Sequence, residues 1–178
     1  NMKESVDNSK DILNPRQATR RRTTNTIRQN TLENDIEDII RNDENLCQQQ
    51  KLIKSVPGVG QVLSWTLLSK TEGFTVITDP RKMACYSGVV PFDFQSGTSL
   101  KRRPGVSMLA DKNLKTVLHM AAMSAIRLDN DLRRYYIRKV DEGKNKMSVL
   151  NAVRNKIIHR VFAVIKKQTF YEKDLVLS

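Results

Sequence analysis

The chain has 178 residues, 39% of them apolar, and a formal net charge of +12; that is enough for one folded domain, or one domain plus an arm. Cys47 and Cys85 lie far apart, with no Cys-x-x-Cys partner or nearby histidine pair, so neither a zinc site nor a dense disulfide framework is indicated and a reduced, cytoplasmic setting is expected. No apolar run approaches the roughly 20 residues that cross a bilayer, and the polar stretch from Asn1 to Lys10 does not read as a signal peptide, so no membrane partner is expected.

The charge is unevenly placed. Through residue 50 there are eight Lys or Arg against nine Asp or Glu; from Lys51 onward there are 23 against ten. The excess belongs to the segment with the stronger apolar patterning, and polyanions such as nucleic acid are its natural partners, because displaced counterions supply affinity without a sequence code. A solvated, highly charged surface is the competing reading.

Residues 1–30 have almost no apolar periodicity and read as a flexible arm or the cut end of a helix, with Arg20-Arg21-Arg22 as its basic cluster. Helical spacing starts near Thr31, a candidate cap. Leu32, Ile36, Ile39, Ile40 and Leu46 then fall on one face, so residues 31–50 are expected to form a connecting helix that packs on the body or joins an upstream domain. The body itself is expected over 51–178.

Its clearest local feature is Ser55-Val56-Pro57-Gly58-Val59-Gly60, followed by an apolar helix from Gln61. Proline ends the incoming helix, and the glycines permit turn dihedrals and close backbone approach, the pattern of a helix-hairpin-helix turn. The N–H groups near Gly58 and Gly60 are candidate phosphate contacts; a purely structural turn is the alternative. Asp79 and Pro80 suit the cap and first position of a further helix, and Ser87 its end. A loop-rich centre follows, in which Phe92 to Leu100 reads as a turn or short hairpin around Gly97, next to Lys101-Arg102-Arg103. Helices are predicted from about Asp111 to Leu128, from Leu132 to Val140, and from Lys146 or Met147 on a stripe of Val149, Leu150, Val153, Ile157, Val161, Phe162 and Ile165. The predicted fold is mainly α: a compact helical domain with a helix-hairpin-helix-like turn, a loop-rich centre and an N-terminal helical arm.

Candidate chemistry is sparse. Ser96 has a hydroxyl beside a basic cluster and is the best candidate nucleophile for a phosphodiester, with Ser99 next; from the residues alone a turn hydroxyl is the simpler reading. Tyr135 and Tyr136 read as packing or phosphate-bonding groups, Trp65 as a core anchor, and His119 and His159 as partly packed side chains. No carboxylate set at metal-ligand spacing appears, so no cofactor is expected within this chain. Candidate nucleic-acid contacts, besides Gly58 and Gly60, are Lys101, Arg102, Arg103, Lys115, Arg133, Arg134, Arg138, Lys139, Lys144, Arg154 and Lys156.

Several ordered motifs combine: Ser55 to Gly60, Tyr86-Ser87-Gly88-Val89-Val90-Pro91, Ser96-Gly97, Leu114-Lys115 with Met120-Ala121-Ala122, Asp131-Leu132, Tyr135-Tyr136, Arg138-Lys139, Gly143-Lys144 and Ala152 to Lys156. Over roughly residues 31 to 167 this series resembles the C-terminal region of insertion-sequence transposases of the IS-one-ten class, also described as RNA-guided bridge recombinases. The resemblance implies a DNA transposase or recombinase of mobile elements in which Ser96 attacks DNA. It also implies partners: DNA, a structured guide RNA, an upstream RuvC-like domain whose acidic residues hold divalent metal such as Mg2+, and further copies of the chain. The chain is then expected to begin after that upstream domain, to be inactive in isolation, and to sit on the nucleoid when DNA-bound. Two departures stand out. The approach to the central helix is shifted toward Met108-Leu109-Ala110-Asp111, and Lys115 stands where the family often has arginine, keeping charge but losing bidentate geometry. A noncatalytic helix-hairpin-helix binding or interaction module is the alternative.

Overall fold

A computed structural model describes residues 15–91, 95–96, 100–101 and 110–172, with the backbone alone at 15–18, 22, 95–96 and 100–101. Among these residues are seven helices: α1 (Pro15–Asn42), α2 (Glu44–Lys54), α3 (Gln61–Thr71), α4 (Pro80–Tyr86), α5 (Lys112–Ala125), α6 (Asp131–Asp141) and α7 (Lys146–Lys167). A two-residue antiparallel pair, β1 (Gln95–Ser96) with β2 (Leu100–Lys101), sets Ser96 opposite Leu100. The fold is mainly α-helical, as the periodicity predicts. The chain divides into two units, one up to Asn42 and one from Asp43 onward.

The first unit contains α1, which starts well before the predicted position. Thr31 is no cap: its hydroxyl donates to the Ile27 carbonyl at 3.1 Å, one turn back inside the helix. Thr23 and Thr24 do the same toward Thr19 and Arg20, so the polar side chains of this stretch satisfy themselves locally. Of the expected stripe, Leu32, Ile36 and Ile39 are exposed, Ile40 is buried and Leu46 is half-buried. Helical periodicity specifies a shared face without specifying that anything covers it.

In the second unit, short polar side chains start almost every helix. Asp43 accepts from the Leu46 N–H at 3.0 Å, Asp79 from Arg81 at 2.9 Å, Asp111 from Leu114 at 2.9 Å, Asn130 from Arg133 at 2.9 Å, and Asn145 from Met147 at 2.9 Å. Each such cap is worth about 1 kcal/mol. Pro80 occupies the first turn of α4, and Ser87 closes it. Helix α7 is the axis of this unit, packing against α2, α4, α5 and α6. Its buried residues consequently extend beyond the predicted stripe to Ile158 and Val164. No described helix is long and apolar enough to cross a membrane.

The turn between α2 and α3 is tied closely to α5. Gly58 has φ +86°, and a Cβ built there would lie 2.5 Å from both the Ala121 carbonyl oxygen and the Ala125 Cβ. Glycine is needed here twice over, for its dihedral and for the absence of a side chain. The alanines of α5 are the complementary requirement, and Val56 and Val59 on either side of the turn are buried. Ser55 closes α2 by donating its hydroxyl to the Leu52 carbonyl at 2.6 Å.

Candidate nucleic-acid interface

Two places in the second unit present groups suited to phosphate. The first is the start of α3, where the capping residue Gly60 supplies no side-chain acceptor and its Cα faces open space. The first N–H groups of a helix have no partner within it and carry the positive end of its dipole. Gly58, by contrast, has its Cα turned into α5. Lys54 stands beside this opening, its Nζ 3.3 Å from the Gln61 side-chain oxygen. Sequence reasoning missed Lys54, although its position one residue before the Ser55 to Gly60 motif fixes it at the end of α2.

The second place is a half-enclosed cleft of about 390 Å³ between α6 and α7, lined by Asp131, Leu132, Arg134, Tyr135, Arg138, Lys156 and Arg160. Arg134 and Arg138 are one turn apart on α6 and exposed; Lys156 reaches in from α7. Tyr135 gathers two of these cations. The Lys156 ammonium lies 4.6 Å from its ring centroid and the Arg138 guanidinium carbon 6.0 Å, distances at which the ring quadrupole attracts a cation. Tyr135, read from sequence as a packing or phosphate-bonding group, sits where it orients these two cations.

Below them, Asp131 is bound by Arg160 through two contacts, one of 3.2 Å to Oδ1 and a second, closer one to Oδ2. Arg160 is buried, with its guanidinium carbon 5.1 Å from the Tyr171 ring centroid. Tyr171 also donates its hydroxyl to Asp131 at 3.5 Å and its backbone N–H to the Ser55 hydroxyl at 2.8 Å, linking the cleft to the hairpin turn. Partial burial pushes the Asp131 carboxyl upward, but the hydrogen bond and charge of Arg160 outweigh it and hold the group below the usual carboxylate range.

The other predicted contacts are dispersed. Arg133 donates to the Arg127 carbonyl at 3.2 Å on another side of α6. Lys139 pairs with Glu142 at 2.6 Å, and Arg138 lies 3.8 Å from the same carboxylate, a solvent-exposed arrangement that phosphate can exchange with at small cost. Lys115 is half-buried on α5, and Lys144 is exposed in the turn before α7.

Arg154 requires a correction. It is 6% exposed, turned inward beside Val153 and Ile157 rather than toward solvent, because α7 is covered on several sides. Its Nη2 donates to His119 Nδ1 at 2.7 Å and its Nη1 to Asn151 Oδ1 at 3.2 Å. Asn151 in turn donates to the Val89 carbonyl at 2.6 Å. No described carboxylate pairs with Arg154. His119 must offer a bare Nδ1 here, and desolvation, followed by the Arg154 charge, lowers its pKa accordingly.

The backbone of Ser96 lies in β1 and that of Lys101 in β2, while their side chains, with Ser99, Arg102 and Arg103, fall outside the described residues. Among the described residues no three His, Cys, Asp or Glu side chains gather at metal-binding distance.

Residues 50–137 match the family described as Transposase, IS116/IS110/IS902 family. The pilin gene-inverting protein of Moraxella bovis is 23% identical over 145 residues, 81% of this chain and 45% of that protein. That of Moraxella lacunata matches to the same extent. An insertion element IS110 uncharacterized 43.6 kDa protein of Streptomyces coelicolor is 28% identical over 124 residues, 70% of this chain and 30% of its own length. The chain is homologous to transposases of this family and spans less than half the length of these curated relatives.

Proposed function

We propose that the chain is the DNA-handling part of a transposase or recombinase. In this reading it holds DNA, or an RNA–DNA assembly, on the α6–α7 cleft and at the start of α3, and contributes Ser96 to strand exchange. The observation that carries the reading is the family match over residues 50–137, which contains the hairpin turn, Ser96, Arg133 and Arg134. Inversion of a pilin gene, which the Moraxella relatives are named for, requires DNA to be cut and rejoined. The convergence of Arg134, Arg138 and Lys156 on one cleft supports the polyanion part of the proposal.

A serine hydroxyl suits this chemistry. Its oxygen forms a bond to phosphorus as the bond to one sugar oxygen breaks; the serine proton is lost and the sugar oxygen gains one. The phosphoseryl linkage keeps the phosphodiester energy for the reverse step onto a new strand. Stabilising the extra negative charge requires nearby cations, for which Lys101, Arg102 and Arg103 follow closely in sequence. Divalent metal such as Mg2+ belongs to acidic residues of an upstream RuvC-like domain, which, with a guide RNA and further copies of the chain, completes the assembly.

The test is covalent trapping of DNA on the full-length protein loaded with its guide, with mass-spectrometric mapping of the attached residue. The adduct is expected to map to Ser96, to vanish in Ser96→Ala, and to persist in Ser99→Ala. The opposite pattern overturns the assignment. Salt-sensitive DNA binding with no adduct leaves a noncatalytic binding module instead.

A further inference from the structure

The α6–α7 cleft carries more than a generic phosphate contact would use. A volume of about 390 Å³ lies within the roughly 300–1,000 Å³ typical of sites that enclose a small ligand, and a phosphate group alone would occupy only a fraction of it. One wall is the aromatic ring of Tyr135, which is half-buried. The floor holds a carboxylate, Asp131, whose side chain remains 35% exposed although Arg160 binds it.

That carboxylate is the informative group. The outside of a duplex offers phosphates and sugars, and an anion facing into the cleft is unfavourable to phosphate at close range. An unpaired base offers something else: a flat apolar face and, on adenine, cytosine or guanine, an exocyclic amine that donates to a carboxylate. A carboxylate accepts more bonds than Arg160 and Tyr171 use here. The cations are arranged to match, since Lys156 and Arg138 lie against Tyr135, where a phosphate adjoining an inserted base would fall.

Building on the nucleic-acid reading above, we propose that this cleft takes one unpaired nucleotide of a DNA or RNA strand. Its phosphate rests on Arg138 and Lys156, its base lies against Tyr135, and its exocyclic amine donates to Asp131. Tyr135 then has two roles, as a stacking surface and as the group that fixes the two cations, and thymine or uracil at this position is disfavoured because each presents a carbonyl in place of the amine.

The experiment is fluorescence anisotropy of this chain with matched oligonucleotides: single-stranded DNA, single-stranded RNA and the corresponding duplex. Each single strand is also made with abasic sites and with cytosine replaced by thymine or uracil. Binding to a single strand is expected to weaken about tenfold when bases are removed, to weaken on replacing cytosine, and to fall about tenfold in Tyr135→Leu but little in Tyr135→Phe. Duplex affinity is expected to fall less than single-strand affinity in Tyr135→Leu, because the duplex loses only the orientation of Arg138 and Lys156. The two strand types compared side by side identify which sugar the cleft prefers. Equal affinity for abasic and intact strands overturns the proposal without requiring any variant to fold, as does equal loss of single-strand and duplex binding in a Tyr135→Leu protein whose helical circular dichroism is intact. Loss of all salt-dependent binding in Arg134→Gln/Arg138→Gln/Lys156→Gln, with base removal having no effect, retains the basic face and rejects only the nucleotide cleft. Salt-independent or absent binding of every probe rejects both.

Discussion

Arg154 and Arg160 lie six residues apart on the same helix, and both are buried, yet their charges are met in different ways. Arg160 faces a carboxylate and an aromatic ring, Asp131 and Tyr171. Arg154 faces an imidazole and an amide, His119 and Asn151. The first arrangement neutralises the cation and leaves a partly exposed carboxylate for the cleft. The second engages both terminal nitrogens but leaves Nε buried without a partner and supplies no described counter-charge, next to the Val89 carbonyl, close in sequence to the segment that carries Ser96. Two arginines in one helix thus show that burial alone does not define a site; the partner set does.

The contrast is broken most severely by Asp131→Ala, which leaves Arg160 buried and unpaired. Unfolding in urea should show a loss of about 3 kcal/mol, because an uncompensated buried charge costs far more than the pair contributes. A loss below about 1 kcal/mol would mean that water reaches Arg160. Arg154→Met should cost less, about 1–2 kcal/mol, since it removes a desolvated cation while leaving the acceptors on His119 and Asn151 without a donor. If it destabilises as much as Asp131→Ala, the distinction between the two arginines is wrong.

The smallest effect distinguishes them by pH. The His119 pKa is lowered in the fold from its ordinary 6.5, so the unfolded chain binds a proton more readily. Its contribution is therefore fully present above about 6.5 and is lost as pH falls toward the folded value. Thermal melting should decline modestly from pH 7 to pH 5, with His159, whose pKa burial also lowers, contributing in the same direction; His119→Gln, which keeps an acceptor but does not titrate, should lessen that decline. Asp131 behaves differently: with its pKa below the ordinary 3.8, its stabilisation persists across that range and is lost only in stronger acid. A melting profile unchanged by His119→Gln would sink the histidine assignment.

Most of the helical framework was legible from local chemistry. Asp79 with Pro80 and the Pro57-Gly58 turn act within a few residues of themselves, so their signals survive without tertiary information. What could not be read depends on neighbours. The periodic stripe of α7 identified one buried face, but contact with four other helices buries more of its circumference and encloses Arg154, which sequence places among the basic contacts. The same blindness worked in reverse on α1, where Leu32, Ile36 and Ile39 form a regular pattern that remains exposed. In the cleft, Arg134, Arg138 and Lys156 were candidates by charge, whereas the roles of Tyr135, Asp131 and Arg160 depend on a meeting of α6 with α7 that no spacing rule reports.

The contact of Gly58 with Ala121 and Ala125 has a further consequence. Because bare backbone and two methyl groups set the separation there, the thickness of the α5 surface acts as a gauge for the height of the loop above it. A bulkier residue on that surface would lift Gly60 and the mouth of α3 together, so a change deep in the packing would be felt at a place where phosphate could dock.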